Sequence, residues 1–284
     1  MIATRHALLP LALLLSVALS ACSSRPVPAQ WPSAGMGVID PSAERQPGYL
    51  DKAALPDSLA LLPAPPAVGS PAFALDEQVN REGRVLLTTP RGHQAALDAD
   101  LSFPNAAGTY ACALGVPVTR EDTPRLYLLL QRTRTDAGRS VSKAKDHYQR
   151  ARPFMVNGGP TCAPEDEDGL RKNGSYPSGH TAIGWAWALT LAEVAPDRAD
   201  AVLARGRAYA ESRLVCNVHW QSDVLEGRFM AAGTVARLHE QAQFRDDVAA
   251  ARQEVVRARM RGLKPNRDCA AEADALKLRP ASAL

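Results

Sequence analysis

Gly174-Ser175-Tyr176-Pro177-Ser178-Gly179-His180-Thr181 leads directly into AIGWAWALTLAEV at residues 182–194. Wound at about 3.6 residues per turn, residues 181–194 are apolar almost all round. A helix without a polar face has to sit inside an assembly of other helices. The run is too short to cross a bilayer, and it carries Glu193. It predicts a buried central helix, and with it the fold class. Just upstream, Ser178-Gly179-His180 opens this helix. A glycine there lets backbone N–H groups approach an anion, and the positive end of the helix dipole favours one.

Outward from this centre, the chain keeps a helical period. Pro124 fits the first turn of a helix to about Asp136, with Leu126, Leu129 and Leu130 on one side. A further helix is predicted from about Val141 to Ala151, stopping near Pro153. Pro196 and Asp197 open another through Ser212, and two more follow at about 222–241 and 245–262. No alternating strand pattern and no internal repeat is found. The reading is all-α, a compact single-domain helical bundle with a buried central helix.

The chain has 284 residues, 46% hydrophobic and 22% charged, which is a globular composition. Its net charge of +3, with no Lys/Arg-rich run, excludes a nucleic-acid binder working by bulk electrostatics. Arg5 followed by the apolar run Leu8 to Leu19 reads as an export signal. Leu19-Ser20-Ala21-Cys22 resembles the bacterial lipobox, in which the cysteine is acylated and becomes the new N-terminus. Ser23 after it fits sorting to the outer membrane. An ordinary signal peptide with an incidental cysteine is the alternative. The predicted organisation is a lipoprotein signal peptide over 1–21, a Ser/Pro/Gly-rich tether over 22–47, the folded domain over 48–262 and a C-terminal tail over 263–284. Cys112, Cys162, Cys216 and Cys269 remain after Cys22. Export permits disulfides among them, and no CxxC spacing suggests zinc.

Three blocks carry chemistry. Lys145 and Arg152-Pro153 form the first, Gly174 to Thr181 the second, and Ser212-Arg213 with His219 and Asp223 the third. Lys145 and Arg152 are seven apart, close to two helical turns, so both can face one way. Arg213 adds a bidentate fork. Together with Ser178 and the Gly179 N–H, these make a site for a tetrahedral oxyanion such as phosphate. His219 and Asp223, four apart, stack if helical. The carboxylate then fixes the imidazole tautomer and leaves one nitrogen as a nucleophile. His180 is a second imidazole, suited to protonating a leaving group. His93, His147 and His239 belong to no block, and Glu211 is either a pocket-shaping group or an exposed helix carboxylate.

The pattern Lys-x6-Arg-Pro, Pro-Ser-Gly-His, Ser-Arg-x5-His-x3-Asp resembles that of the type 2 phosphatidic acid phosphatase superfamily, which includes the vanadium haloperoxidases. Gly174 to Thr181 is similar to the tighter signature of class A bacterial nonspecific acid phosphatases, as is His219-Trp-Gln-Ser-Asp223-Val. The resemblance spans roughly residues 49–245. It implies that Lys145, Arg152 and Arg213 hold phosphoryl oxygens, and that Ser178 and Gly179 complete the cradle. It also implies that His219 attacks phosphorus, Asp223 orients it, and His180 serves as acid and then base. The implied activity is hydrolysis of small phosphate monoesters at acidic pH through phosphohistidine, with no cofactor. Apyrase-like action on nucleotides is the runner-up. Vanadate-dependent haloperoxidation and a non-catalytic phosphate-binding lipoprotein rank lower. The partners expected are small phosphorylated substrates and a membrane reached only through the lipid anchor, with oligomeric state left open.

One disulfide follows from assembling such a site. Cys162 follows Arg152-Pro153, and Cys216 lies between Arg213 and His219. Bringing these segments together predicts a Cys162–Cys216 bridge across two walls of the site. A free, buried Cys216 is the alternative. Cys112 and Cys269 then pair with each other or stay free.

Overall fold

A computed structural model describes residues 1–2, 43 and 45–283. The chain divides into Met1–Ala34 and Gly35–Leu284, and the folded body belongs to the second unit. Nearly all of the predicted signal peptide and tether, Cys22 included, lies outside the described residues.

The body is all-helical, with no strand among the described residues. A short α1 (Ser58–Leu61) precedes α2 (Pro71–Arg84) and α3 (Pro90–Leu97). Each of the latter two starts with proline at its first helical position. Ser70 Oγ accepts the Phe73 N–H and Thr89 Oγ1 accepts the Arg91 N–H. A turn at α4 (Ala111–Leu114) leads to α5 (Pro124–Ser140), α6 (Ser142–Tyr148), α7 (Pro153–Asn157) and α8 (Glu167–Arg171). The long helices α9 (Gly179–Val194), α10 (Ala199–Val215), α11 (Gln221–Leu238) and α12 (Ala242–Met260) follow, and α13 (Cys269–Ala275) ends the body.

The apolar run forms α9, and α5, α10, α11 and α12 pack around it. Leu126, Leu129 and Leu130 of α5 are fully buried, and the Trp187 indole N–H donates to the Leu130 carbonyl at 2.9 Å. Gly184 lets α10 come close, because a Cβ there would lie 2.1 Å from Cδ1 of Tyr209. The side chain of Thr123, at the N-cap, does not cap α5. Glu254 of α12 does so instead, accepting from the N–H groups of Arg125 and Leu126 at 2.9 and 3.0 Å.

Two expectations change. The helix predicted over Val141–Ala151 ends at Tyr148, because Gln149 takes the left-handed conformation at φ 43° and its N–H closes on the Lys145 carbonyl. Lys145 and Arg152 therefore do not share a helix face. The predicted C-terminal tail, 263–284, is tied to the body. Cys269 is bonded to Cys112 with Cα atoms 5.4 Å apart. Arg279 donates to the buried Glu211, and Ser282 Oγ donates to Glu82 at 2.8 Å.

Candidate active site

The three blocks meet through backbone as much as side chains. The Ser175 N–H donates to the Arg150 carbonyl, the Ser178 N–H to the Asp223 carbonyl, and the Phe154 N–H to the Asn217 carbonyl, at 2.9, 2.9 and 3.1 Å. Ser178 caps α9 by accepting the Thr181 N–H at 3.2 Å, which leaves its own hydroxyl proton free to donate outward. Gly227 of α11 permits this packing. A Cβ there would lie 2.6 Å from the Ser178 carbonyl oxygen.

Lys145 and Arg152 converge although no helix joins them. Lys145 Nζ donates to the Gly174 carbonyl at 2.6 Å, and Arg152 Nη2 to the same oxygen at 3.4 Å. Arg152 also donates to the carbonyls of Leu170, Asn173 and Val218. Its Nη1 lies 3.1 Å from His219 Nε2. A guanidinium can only donate, so His219 Nε2 carries the lone pair and Nδ1 the proton. That proton faces Asp223 Oδ2 and Ser175 Oγ, each at 3.3 Å.

His219 precedes α11 rather than lying on it. Asp223, in the first turn, reaches back and accepts the Trp220 N–H at 2.8 Å. The carboxylate thus meets the imidazole without the helical stacking expected from their spacing. Ser175 Oγ also donates to Asp223 in a short contact. Arg150 is the residue that sequence reading missed. Its Nη1 donates to Asp223 Oδ1 at 2.6 Å, and its Nη2 to Asp76 at 2.7 Å. Asp76 in turn accepts from Ser222 N–H and Oγ at the start of α11.

Arg213 differs from Arg152. It is buried, and its Nε and Nη1 have no hydrogen-bond partner. A buried charged donor left unpaired costs about 1–3 kcal/mol or more, so these two atoms are aimed at an anion. A network of remote residues sets the end of α10. Ser212 Oγ donates to Asp98 at 2.5 Å, while Arg91 and Arg205 donate to Ser212 and Asp98 at 2.9 and 2.5 Å. Arg91, Asp98 and Arg205 carried no sequence signal, because their partners lie more than a hundred residues away. Beyond Cys216, Asn217 turns the chain with φ 61°, held by Asn80 and Asn157 at 2.8 and 2.9 Å. Cys216 itself is bonded to Cys162, Cα to Cα 4.7 Å, closing a separation of 54 residues. In the chain-entropy picture such a closure stabilises by about 4 kcal/mol.

The two imidazoles share one field. Burial first, then Arg152, Lys145 and Arg213, hold His219 well below the usual histidine range. His180 is lowered likewise by burial, Arg213, His219 and Arg152, against a bond to Ala99 that opposes the shift. His180 Nε2 donates to the Ala99 carbonyl at 2.9 Å, which leaves Nδ1 for chemistry. Both rings are therefore neutral nucleophiles or bases until a phosphate dianion arrives and raises them.

The residues of all three blocks lie in one place. The PAP2 superfamily description matches residues 127–247. The chain is 47% identical over 207 residues to a non-specific acid phosphatase of Providencia stuartii, covering 72% of this chain and 84% of that protein. It is 42% identical over 210 residues to an acid phosphatase of Zymomonas mobilis, covering 74% and 80%. A non-specific acid phosphatase of Salmonella typhimurium is 42% identical over 195 residues, covering 68% and 78%. The chain belongs to the non-specific acid phosphatases of the PAP2 superfamily.

Within this acid phosphatase fold, Lys145 gives a pH prediction. Burial, aided by Arg152 and opposed by Asp223, lowers its ammonium to about 7. The cation is present below that pH and is lost above it. kcat/KM, which reports the free enzyme, is expected to fall as pH rises through about 7. In kcat the same limb moves upward, since bound phosphate favours the ammonium. Lys145→Arg should remove the limb. A limb that persists unchanged in Lys145→Arg would assign it to another group.

Glu211 is buried and paired with Arg207 and Arg279, so of its two readings the exposed carboxylate is wrong. His239 meets Glu193 at 2.8 Å, and His147 stacks edge-on with Tyr148.

Proposed function

We propose that this acid phosphatase hydrolyses small phosphate monoesters of broad structure at acidic pH through a phosphohistidine on His219. The observation that carries the reading is Arg213. It is a buried guanidinium with two unpartnered donors, set in one field with a neutral, correctly tautomerised imidazole. The phosphoryl oxygens bind Arg213, Lys145, Arg152, the Ser178 hydroxyl and the Gly179 N–H. His219 Nε2 attacks phosphorus in line, and the P–O bond to the alcohol breaks. His180 Nδ1, protonated once the dianion is bound, gives its proton to the departing oxygen. Water then replaces the alcohol, His180 takes its proton, and the new oxygen displaces His219 as inorganic phosphate leaves. Asp223 and Ser175 stabilise the imidazolium through Nδ1. The cationic cradle does the electrostatic work of the transition state, so no cofactor is required. Among the described residues no group of three or more His, Cys, Asp or Glu is placed to hold a metal.

Leu8 to Leu19 and the lipobox at Cys22 support export, with acylation of Cys22 and an anchor on the outer membrane. No helix among the described residues is long and apolar enough to cross a membrane. One experiment tests both parts. Phosphate release from p-nitrophenyl phosphate in EDTA at mildly acidic pH is assayed in membrane and soluble fractions of expressing cells. Activity is expected in EDTA and in the membrane fraction, released by detergent. Activity restored only by added metal would overturn the mechanism, and wholly soluble mature enzyme would overturn the anchor.

A further inference from the structure

A cleft of about 460 Å³ opens against α5 and the early part of α9, and the three blocks do not use it. Ile183, one helical turn beyond His180 on α9, lines it, and so does Leu101, two residues past the carbonyl that holds His180. Both residues are thus near neighbours of His180, one along α9 and one through its hydrogen bond to Ala99. Gly138 of α5 supplies wall without a side chain. The size is that of a small-molecule subsite, within the range of about 300–1,000 Å³.

Its charge is one-sided. Arg45, Arg134 and Arg139 line it, and no carboxylate among the described residues does. Arg134 is held against the wall, donating to the Leu101 carbonyl with its guanidinium 5.1 Å over the Phe103 ring. Arg45 and Arg139 form no ion pair among the described residues. Asp136, whose charge Arg139 feels, is turned inward to accept the N–H groups of Tyr49 and Leu50. The forks of Arg45 and Arg139 match the several oxygens of a phosphate better than a neutral group.

We propose that this cleft is a subsite for a second phosphate carried on the leaving group, so that bisphosphorylated small molecules are favoured substrates. The proposal rests on the phosphatase reading, which places the leaving group beside His180. Only the ester at His219 is cut, and the second phosphate leaves with the alcohol.

The test compares butyl phosphate with butane-1,4-diol bisphosphate, whose two ends are equivalent. The wild-type KM is expected to be about fivefold lower for the bisphosphate, the scale of two or three partly exposed ion pairs. An Arg45→Ala/Arg139→Ala double variant should erase the preference and leave butyl phosphate kinetics within about twofold, because neither side chain bonds a residue of the cradle. Arg139→Glu should reverse it. Calorimetric binding of both probes to His219→Ala makes the same comparison without turnover. No hydrolysis of either probe by wild type would fell the phosphatase reading. Equal affinity for the two probes, or a preference that survives the double variant, would overturn the subsite.

Discussion

His219→Ala is expected to lower kcat for phosphate release by about 10⁴-fold or more, the scale seen when a covalent nucleophile is removed. The loss comes from chemistry and not from folding. Arg152 keeps its bonds to the carbonyls of Leu170, Asn173 and Val218, and Asp223 keeps Arg150, Ser175 and the Trp220 N–H. The melting temperature should therefore fall by only about 2–6 °C, as for a loss of 1–2 kcal/mol in a domain of this size. Wild-type enzyme quenched rapidly into alkali, where phosphohistidine survives, should carry covalent phosphate that the variant lacks. Turnover by His219→Ala within tenfold of wild type would end the covalent mechanism.

Arg213→Met should lower kcat/KM by about 10³-fold, because it removes two donors that are not already occupied in the resting site. Arg213→Lys should recover only part, since an ammonium restores charge without the fork. Stability separates this role from a structural one. Removing a buried cation that lacks partners is expected to leave the protein at least as stable as wild type. Inorganic phosphate should raise the melting temperature of wild type and not of Arg213→Met, because ligand stabilisation requires a bound ligand. A variant that is strongly destabilised, yet still stabilised by phosphate, would make Arg213 a packing residue.

The contrast between Arg152 and Arg213 shows why part of the site was legible and part was not. Both were read as phosphate ligands from the three blocks, and the structure puts both beside His219. Nothing in either motif says that Arg152 spends its donors on loop carbonyls while Arg213 keeps two unspent. Lys145 and Arg152 converge for a reason the spacing argument did not contain. They share the Gly174 carbonyl after the helix has ended. His219 and Asp223 meet through a reach back across a helix start. Arg150 lay two residues from a motif position and was passed over, because its partners Asp76 and Asp223 lie 74 and 73 residues away.

The sequence by itself determined the all-α class, the buried central helix, the order of the chemical blocks and the identity of the groups in them. These follow from signals that act over a few residues: apolar periodicity, proline at a first turn, serine at a cap. The tertiary structure alone decided which donors remain unpaired, which tautomer His219 holds, how Arg150 and Asp76 support Asp223, and where an arginine-lined cleft opens against α5 and α9. Those outcomes depend on desolvation and on partners brought in from distant segments. A guanidinium acquires its role only when packing has settled which oxygens reach it and which water cannot.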